Sequence, residues 1–292
     1  MKPFDYQEMT QRNIGFVTDA EQQRLRMGRV FVCGTGGMGG ACLQSLVRAG
    51  VGGFEIADFD SFELSNLNRQ VFATLPSLGR LKVEVTAERL HEINPEIDVQ
   101  IHSADWLSEL GSILSRCRVV VNAMDDVAAG IQLYRAARLA GATVIDAYSS
   151  TLPSLIVVGP RDPRPEERLA FPTRGIEPHR FAPEILAACR LAEIEHVLVH
   201  SSTAAGLDLK IAGEIIAETR ARISFAPMVI TTGNLMAYAV IAELCGRPAP
   251  ADCRGWFLNP HDGRIERPRW APIAAFRRRL VRRFLTGLAH AR

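Results

Sequence analysis

The chain has 292 residues, of which 47% are hydrophobic, 23% charged and 7% aromatic; these are ordinary globular proportions and exclude disordered, collagen-like and coiled-coil classes. With 34 Lys+Arg against 32 Asp+Glu the formal net charge is +2, so bulk electrostatics do not require a nucleic acid partner. No apolar run stands out as a membrane span of roughly 20 residues, and the polar start MKPFDYQEMTQRN lacks a signal-peptide core, so a cytoplasmic protein is expected.

Residues 1–28 read as an N-terminal helical segment. From residue 29 to 160 short β-rich runs alternate with helical patterns. RVFVC (29–33) is continuously apolar, as in a strand buried on both faces. It runs into GTGGMGG, after which Ala41, Leu43, Leu46, Val47 and Ala49 recur at helical spacing up to a stop at Gly50. Residues 53–58 form a second strand, and LGRLKVEVTAERLHEINP a helix that stops before Pro95. Strands at 97–102, 118–123 and 142–147 follow, with helices at 105–116 and 126–140 between them. This alternation predicts an α/β fold: a Rossmann-like, doubly wound, mostly parallel sheet covered on both faces.

Residues 161–292 are less regular. The proline- and charge-rich stretch 160–180 reads as an exposed loop, followed by helices at about 182–198 and 206–221. Residues 227–245 predict a buried apolar helix, and GWFLNPHDGRIE a hairpin turning at Pro260–Gly263. In the tail, Phe276, Leu280, Phe284 and Leu288 share one helical face and arginines crowd the other; the apolar side is expected to pack on the domain, the alternative being a helix that lies on a membrane surface or docks an acidic partner.

The chemistry concentrates at two loops. Gly34, Gly36, Gly37 and Gly39 follow a strand and open a helix, where bare backbone and a helix N-terminus can receive phosphate. Asp58 ends the second strand at the offset of a ribose-binding carboxylate. To this point NAD and ATP fit equally. The loop that follows adds Asp60, Asn66, Arg69 and Gln70, with Lys82 on the next helix. Two cations near a glycine loop suit a triphosphate better than a dinucleotide pyrophosphate. The run VVVNAMDD (119–126) brings Asp125 and Asp126 to a strand's C-terminal end, where carboxylates facing phosphate imply Mg²⁺ between them.

GTGGMGG, ADFD (57–60), SNLNRQVF, GRLKVE and MDD, in this order and spacing, resemble the ThiF/MoeB/HesA family, bacterial relatives of ubiquitin-activating enzymes. The similarity covers residues 10–160 well, and the apolar run near residue 235 resembles the family's late helix. It implies an ATP-dependent adenylyltransferase that activates the C-terminal carboxylate of a small ubiquitin-like sulfur carrier or a ribosomal peptide, giving an acyl-adenylate and pyrophosphate. Carried over by position, the glycine loop and Asp58 would hold ATP, with Asp58 on the ribose. Asn66, Arg69 and Lys82 would contact phosphates, Gln70 and Asp60 would line the site, and Asp125 would bind Mg²⁺. Arg12 would reach the γ-phosphate in the partner subunit of a homodimer. Residues 161–292 would form the substrate-binding or crossover region.

There are departures from the family pattern. The two C-x-x-C pairs of the relatives' structural zinc are missing, so no zinc site is expected; Asn122 replaces the first acid of D-x-x-D on the fourth strand. Cys189 is the only cysteine in the region where some relatives carry a thioester-forming one; its helical context favours a packed thiol. His196 and His200 lie four apart without a third ligand, and Trp106 and Trp256 read as packing residues. Asp60 equally suits an Asx-type loop cap. The alternatives are an NAD(P)-dependent oxidoreductase, a carboxylate-activating tRNA-modification enzyme of the same superfamily, and a non-enzymatic nucleotide-binding scaffold. The near-neutral charge argues against the tRNA branch, and the intact set Asp58, Arg69, Lys82 and Asp125 against the scaffold.

Overall fold

Two N-terminal helices, α1 (Tyr6–Thr10) and α2 (Asp19–Met27), precede the sheet in the computed structural model, which describes residues 3–102, 105–205, 208–216, 219–220 and 223–290. Asp5 caps α1, and a reciprocal Thr18–Glu21 capping box starts α2. The alternating region then delivers β1 (Arg29–Cys33), α3 (Gly37–Arg48), β2 (Gly53–Ala57), α4 (Lys82–Ile93), β3 (Asp98–His102), α5 (Trp106–Arg116), β4 (Val119–Asn122), α6 (Val127–Ala140) and β5 (Thr143–Asp146). These five strands are parallel in the order β3-β2-β1-β4-β5, the doubly wound arrangement expected.

Because side chains alternate along a strand, β1 feeds two core layers. Val30 and Val32 pack with Leu43 and Leu46 of α3, while Phe31 and Cys33 face Trp106, Leu110 and Ile113 of α5. Trp106 and Trp256 are buried packing residues, as expected.

Three antiparallel strands extend the sheet beyond β5: β6 (Ser154–Val158), β7 (Trp256–Asn259) and β8 (Arg264–Glu266). The β7–β8 hairpin turns where anticipated, whereas β6 was not anticipated. Its run SLIVV is buried throughout, and only pairing with β5 and β7 identifies it as a strand.

The stretch 160–180 is more than an exposed loop. It holds α7 (Pro165–Arg168), whose Glu166 is buried against Arg135, and it buries Phe171 and Thr173. Next come α8 (Pro183–His200), α9 (Leu209–Ile216), α10 (Ala226–Cys245) and α11 (Ala271–His290). The expected ends of the 206–221 helix fall outside the described residues.

α10 is long and apolar enough to cross a membrane by length and composition. About half of it is buried, and Tyr238 is exposed, so its burial is less complete than expected. It lies against α3, where Gly233 lets the helices touch: a Cβ there would stand 2.4 Å from the Met38 carbonyl oxygen.

α11 reverses the expected orientation. Phe276, Leu280 and Phe284 face solvent, while Arg277, Arg278 and Arg282 bond to α8; the Leu288 side chain lies outside the described residues. The carbonyls ending α8 and the carboxylate of Glu195 provide the acceptors that draw the arginines inward.

Candidate active site

The C-terminal ends of β1 and β4, where the strand order reverses, form the crevice in which open α/β sheets receive ligands. Gly34 leaves β1 with φ +85°, a conformation that favours glycine. Its N–H donates to the Ala57 carbonyl (2.8 Å), and the Ala123 N–H donates to the Cys33 carbonyl (2.8 Å), binding the loop to both neighbours. A Cβ on Gly34 would stand 2.6 Å from the Ala123 carbonyl oxygen. One on Gly39 would stand 1.8 Å from the Gly34 carbonyl oxygen, and one on Gly37 2.6 Å from Val229 Cγ1. Those three glycines are required by packing. Gly36 instead faces the Gln70 amide, whose Nε2 lies 3.3 Å from its virtual Cβ.

No side chain caps the N-terminus of α3. Its first N–H groups and the positive end of its dipole point into the crevice, the arrangement that receives phosphate. Gln70 lies beside it, 7% exposed, with Oε1 buried and without a hydrogen-bond partner. An orphaned amide oxygen of this kind calls for a donor from water or a ligand.

Asp58 sits just past β2 and organises the loop from below. Its Oδ2 accepts from the Thr35 N–H (2.8 Å) and hydroxyl (3.2 Å), and its Oδ1 accepts from the Asp60 N–H (3.0 Å). The Asx-type turn therefore belongs to Asp58. Asp60 takes a different part: its Oδ2 accepts from Lys82 Nζ at 2.8 Å. Lys82 is buried as the first residue of α4, where a cation opposes the helix dipole. A position unfavourable for the helix suits an anionic ligand.

Asn66 is buried and holds its turn, its Oδ1 accepting from the Glu63 N–H at 3.1 Å. The N–H groups of Arg69 and Gln70 both donate to the Asn66 carbonyl. The Arg69 guanidinium donates to the Ser65 carbonyl and the Asn68 side chain, both at 2.8 Å.

At the end of β4 the two carboxylates divide. Asp126 caps α6 by accepting from the Ala129 N–H at 3.0 Å, and both carboxylates are exposed. Asn122 Nδ2 donates to Asp146 Oδ2 (2.9 Å), which also accepts from the Tyr134 hydroxyl (2.8 Å). Burial pushes the Asp146 carboxyl up, and these two donors oppose the shift. Asp146 and Thr35 were missed at the sequence level. An acid closing a parallel strand was a usable signal for Asp146; nothing local marked Thr35.

Mg²⁺ bound with a nucleotide typically takes one or two carboxylates plus phosphate oxygens. The exposed Asp125 at a strand end is a donor of that kind. Among the described residues there is no group of three or more His, Cys, Asp or Glu able to hold a metal alone.

Two candidates lie away from the crevice. Cys189 is buried against Ile131 and Phe171, and burial pushes its thiol up. Arg12 is exposed beside Asn13, whose Nδ2 donates to the Ala49 carbonyl at the far end of α3. α3, with 12 residues at about 1.5 Å each, is roughly 18 Å long and lies between that contact and the glycine loop.

A protein-family model described as ThiF family matches residues 10–272. The Escherichia coli molybdopterin-synthase adenylyltransferase is 37% identical over 120 residues, 41% of this chain and 48% of that protein. The Thermus thermophilus sulfur carrier protein adenylyltransferase is 40% identical over 106 residues, 36% of this chain and 39% of that protein. The matched stretch thus spans less than half of each relative. Among solved structures, Escherichia coli MccB with AMPCPP and MccA superposes with a TM-score of 0.61 at 18% identity, covering 85% of this chain and 65% of that one. The Escherichia coli tRNA N6-threonylcarbamoyladenosine dehydratase does so with 0.57 at 18% identity, covering 82% and 95%. At such identity the likeness is one of fold.

Proposed function

The chain belongs to the ThiF family, and from that premise we propose that it adenylates a carboxylate with ATP. The observation that carries this reading is the uncapped, glycine-lined N-terminus of α3 with the Gln70 amide beside it, fastened through Thr35 to Asp58, while Asp60 two residues on pairs with Lys82 at the start of α4. The two sequence relatives described above are adenylyltransferases, so the nicotinamide alternative is not favoured.

In this reading a substrate carboxylate oxygen attacks the α-phosphorus and the bond to pyrophosphate breaks. The reaction needs charge neutralisation and in-line positioning more than proton transfer. The α3 N–H groups and Gln70 hold phosphate oxygens, with Asn66 shaping that wall. Arg69 and Lys82 offset the charge of the leaving pyrophosphate, and Asp60 holds Lys82 in place until ATP arrives. Asp58 fixes the glycine loop and offers an oxygen to the ribose. Asp125 would hold Mg²⁺, which supplies further neutralisation of the phosphates.

The substrate we infer is the C-terminus of a small ubiquitin-like sulfur carrier or a ribosomal peptide, received by residues 161–292 while 29–160 hold ATP. The distance of Arg12 from its own glycine loop supports a homodimer in which 1–28 lend Arg12 to the partner's site. A cytoplasmic location goes with this reading.

Pyrophosphate exchange with candidate carrier proteins or peptides is the direct test. Arg69→Ala and Asp125→Ala should each lower exchange by roughly two orders of magnitude or more while the circular dichroism spectrum stays unchanged. Normal exchange by both variants would falsify the site assignment.

A further inference from the structure

The last 26 residues, 267–292, hold eight arginines and no acidic residue, leaving 26 Lys+Arg against 32 Asp+Glu in the rest of the chain. Positive charge is therefore concentrated at one end of a molecule that is otherwise net acidic. The helix carrying it, α11, is tied down by its polar side. Arg277 Nη2 donates to the Leu198 (2.8 Å) and Ser201 (3.0 Å) carbonyls. Arg278 and Arg282 pair with Glu195 at 3.1 and 2.8 Å. Ala274 and Leu285 are the buried apolar contacts on that side.

The opposite side is left bare. Ile273 (50% exposed), Phe276 (63%) and Leu280 (50%) form a line with Phe284, and Trp270 (74%) stands just before the helix. At 100° per residue these four helical positions fall within one narrow stripe, and Arg279 and Arg283 run along one edge of it. From Ile273 to Phe284 the stripe is about 17 Å long at 1.5 Å per residue.

We propose that this face of α11 docks on an anionic lipid bilayer, lying in the interface with the apolar stripe among the acyl chains and Arg279 and Arg283 on the headgroup phosphates. A straight apolar line bordered by arginine, with a tryptophan at one end, has the chemistry of an interfacial helix. A second copy is disfavoured as the occupant, because it would set Arg279 and Arg283 against their own kind. A nucleic acid backbone provides phosphates but no apolar medium for Ile273 and Leu280. The inference is independent of the adenylation reading, since it uses no residue of the crevice.

The test is co-sedimentation of the 292-residue chain with phosphatidylcholine vesicles, with and without about one-third phosphatidylglycerol. Binding should require the anionic lipid, weaken with salt and shift tryptophan emission to the blue. Trp106 and Trp256 are buried, so Trp270→Phe should remove the shift and leave sedimentation. Phe276→Asp/Leu280→Asp and Arg279→Glu/Arg283→Glu should each weaken binding roughly tenfold or more, with unchanged circular dichroism and ATP binding. The proposal is overturned by absence of binding to anionic vesicles, or by binding that survives Phe276→Asp/Leu280→Asp. Binding to polyglutamate that depends on Phe276 and Leu280, with no vesicle binding, overturns it in favour of an acidic protein partner.

Discussion

Gly36 and Gly39 are two letters of one motif, yet the structure gives them different duties. A methyl group on Gly39 would overlap the Gly34 carbonyl, whereas one on Gly36 would press only on the Gln70 amide, a movable side chain. Gly39→Ala should therefore lower unfolding free energy by about 1–3 kcal/mol and abolish ATP binding. Gly36→Ala should keep near-normal urea stability and change ATP affinity alone. Lys82 separates stability from function in the same way. Its pair with Asp60 is half open to water and its charge opposes the dipole of α4, so Lys82→Met should change stability by less than about 1 kcal/mol. The same substitution should weaken ATP binding tenfold or more by calorimetry. The identities of these residues were legible in the sequence because each lies in a short run of fixed spacing. Their partners were not: the tie from Thr35 to Asp58 spans 23 positions, and only the pairing of β1 with β2 brings them together.

At the scale of elements, α8 carries a titration signature. Burial pushes His196 down to about 3 and His200 down to about 4, and the cations of Arg168 and Arg278 act in the same direction on both. His200 Nδ1 accepts from the Arg269 N–H at 3.0 Å, which fits a neutral ring. The unfolded chain binds these protons near pH 6.5 while the folded chain refuses them until well below pH 5. The unfolded state thus gains protons first, and stability falls as pH drops below about 6.5. Urea titrations at pH 7 and pH 5 should show His196→Gln/His200→Gln losing less stability than the parent, by on the order of 2 kcal/mol for each imidazole removed. Parallel strands and their helices were legible because burial on both faces leaves continuous apolar runs. The segment 160–180 was misread because its charges suggested solvent. Glu166 is buried only because Arg135, 31 residues earlier, turns toward it with a 2.5 Å bond.

For the whole molecule, the proposed dimer makes a quantitative prediction. Arg12→Ala and Asp125→Ala protomers should each be inactive alone. Mixed after reversible dissociation, half of the dimers are hybrids with one intact site, so about a quarter of wild-type exchange should return. An arginine acting within its own chain predicts no recovery. The prediction follows from placing Arg12 and the glycine loop at opposite ends of α3.

The sequence alone determined the parallel α/β sheet and the glycine turn that leaves β1, because strand periodicity and a glycine-rich turn are local properties of consecutive residues. Only tertiary structure decided which way α11 faces, that Asp126 spends itself on a helix cap, and that Asp58 fastens the loop it follows. Those outcomes depend on which acceptors and apolar surfaces distant segments present, and no local pattern encodes them.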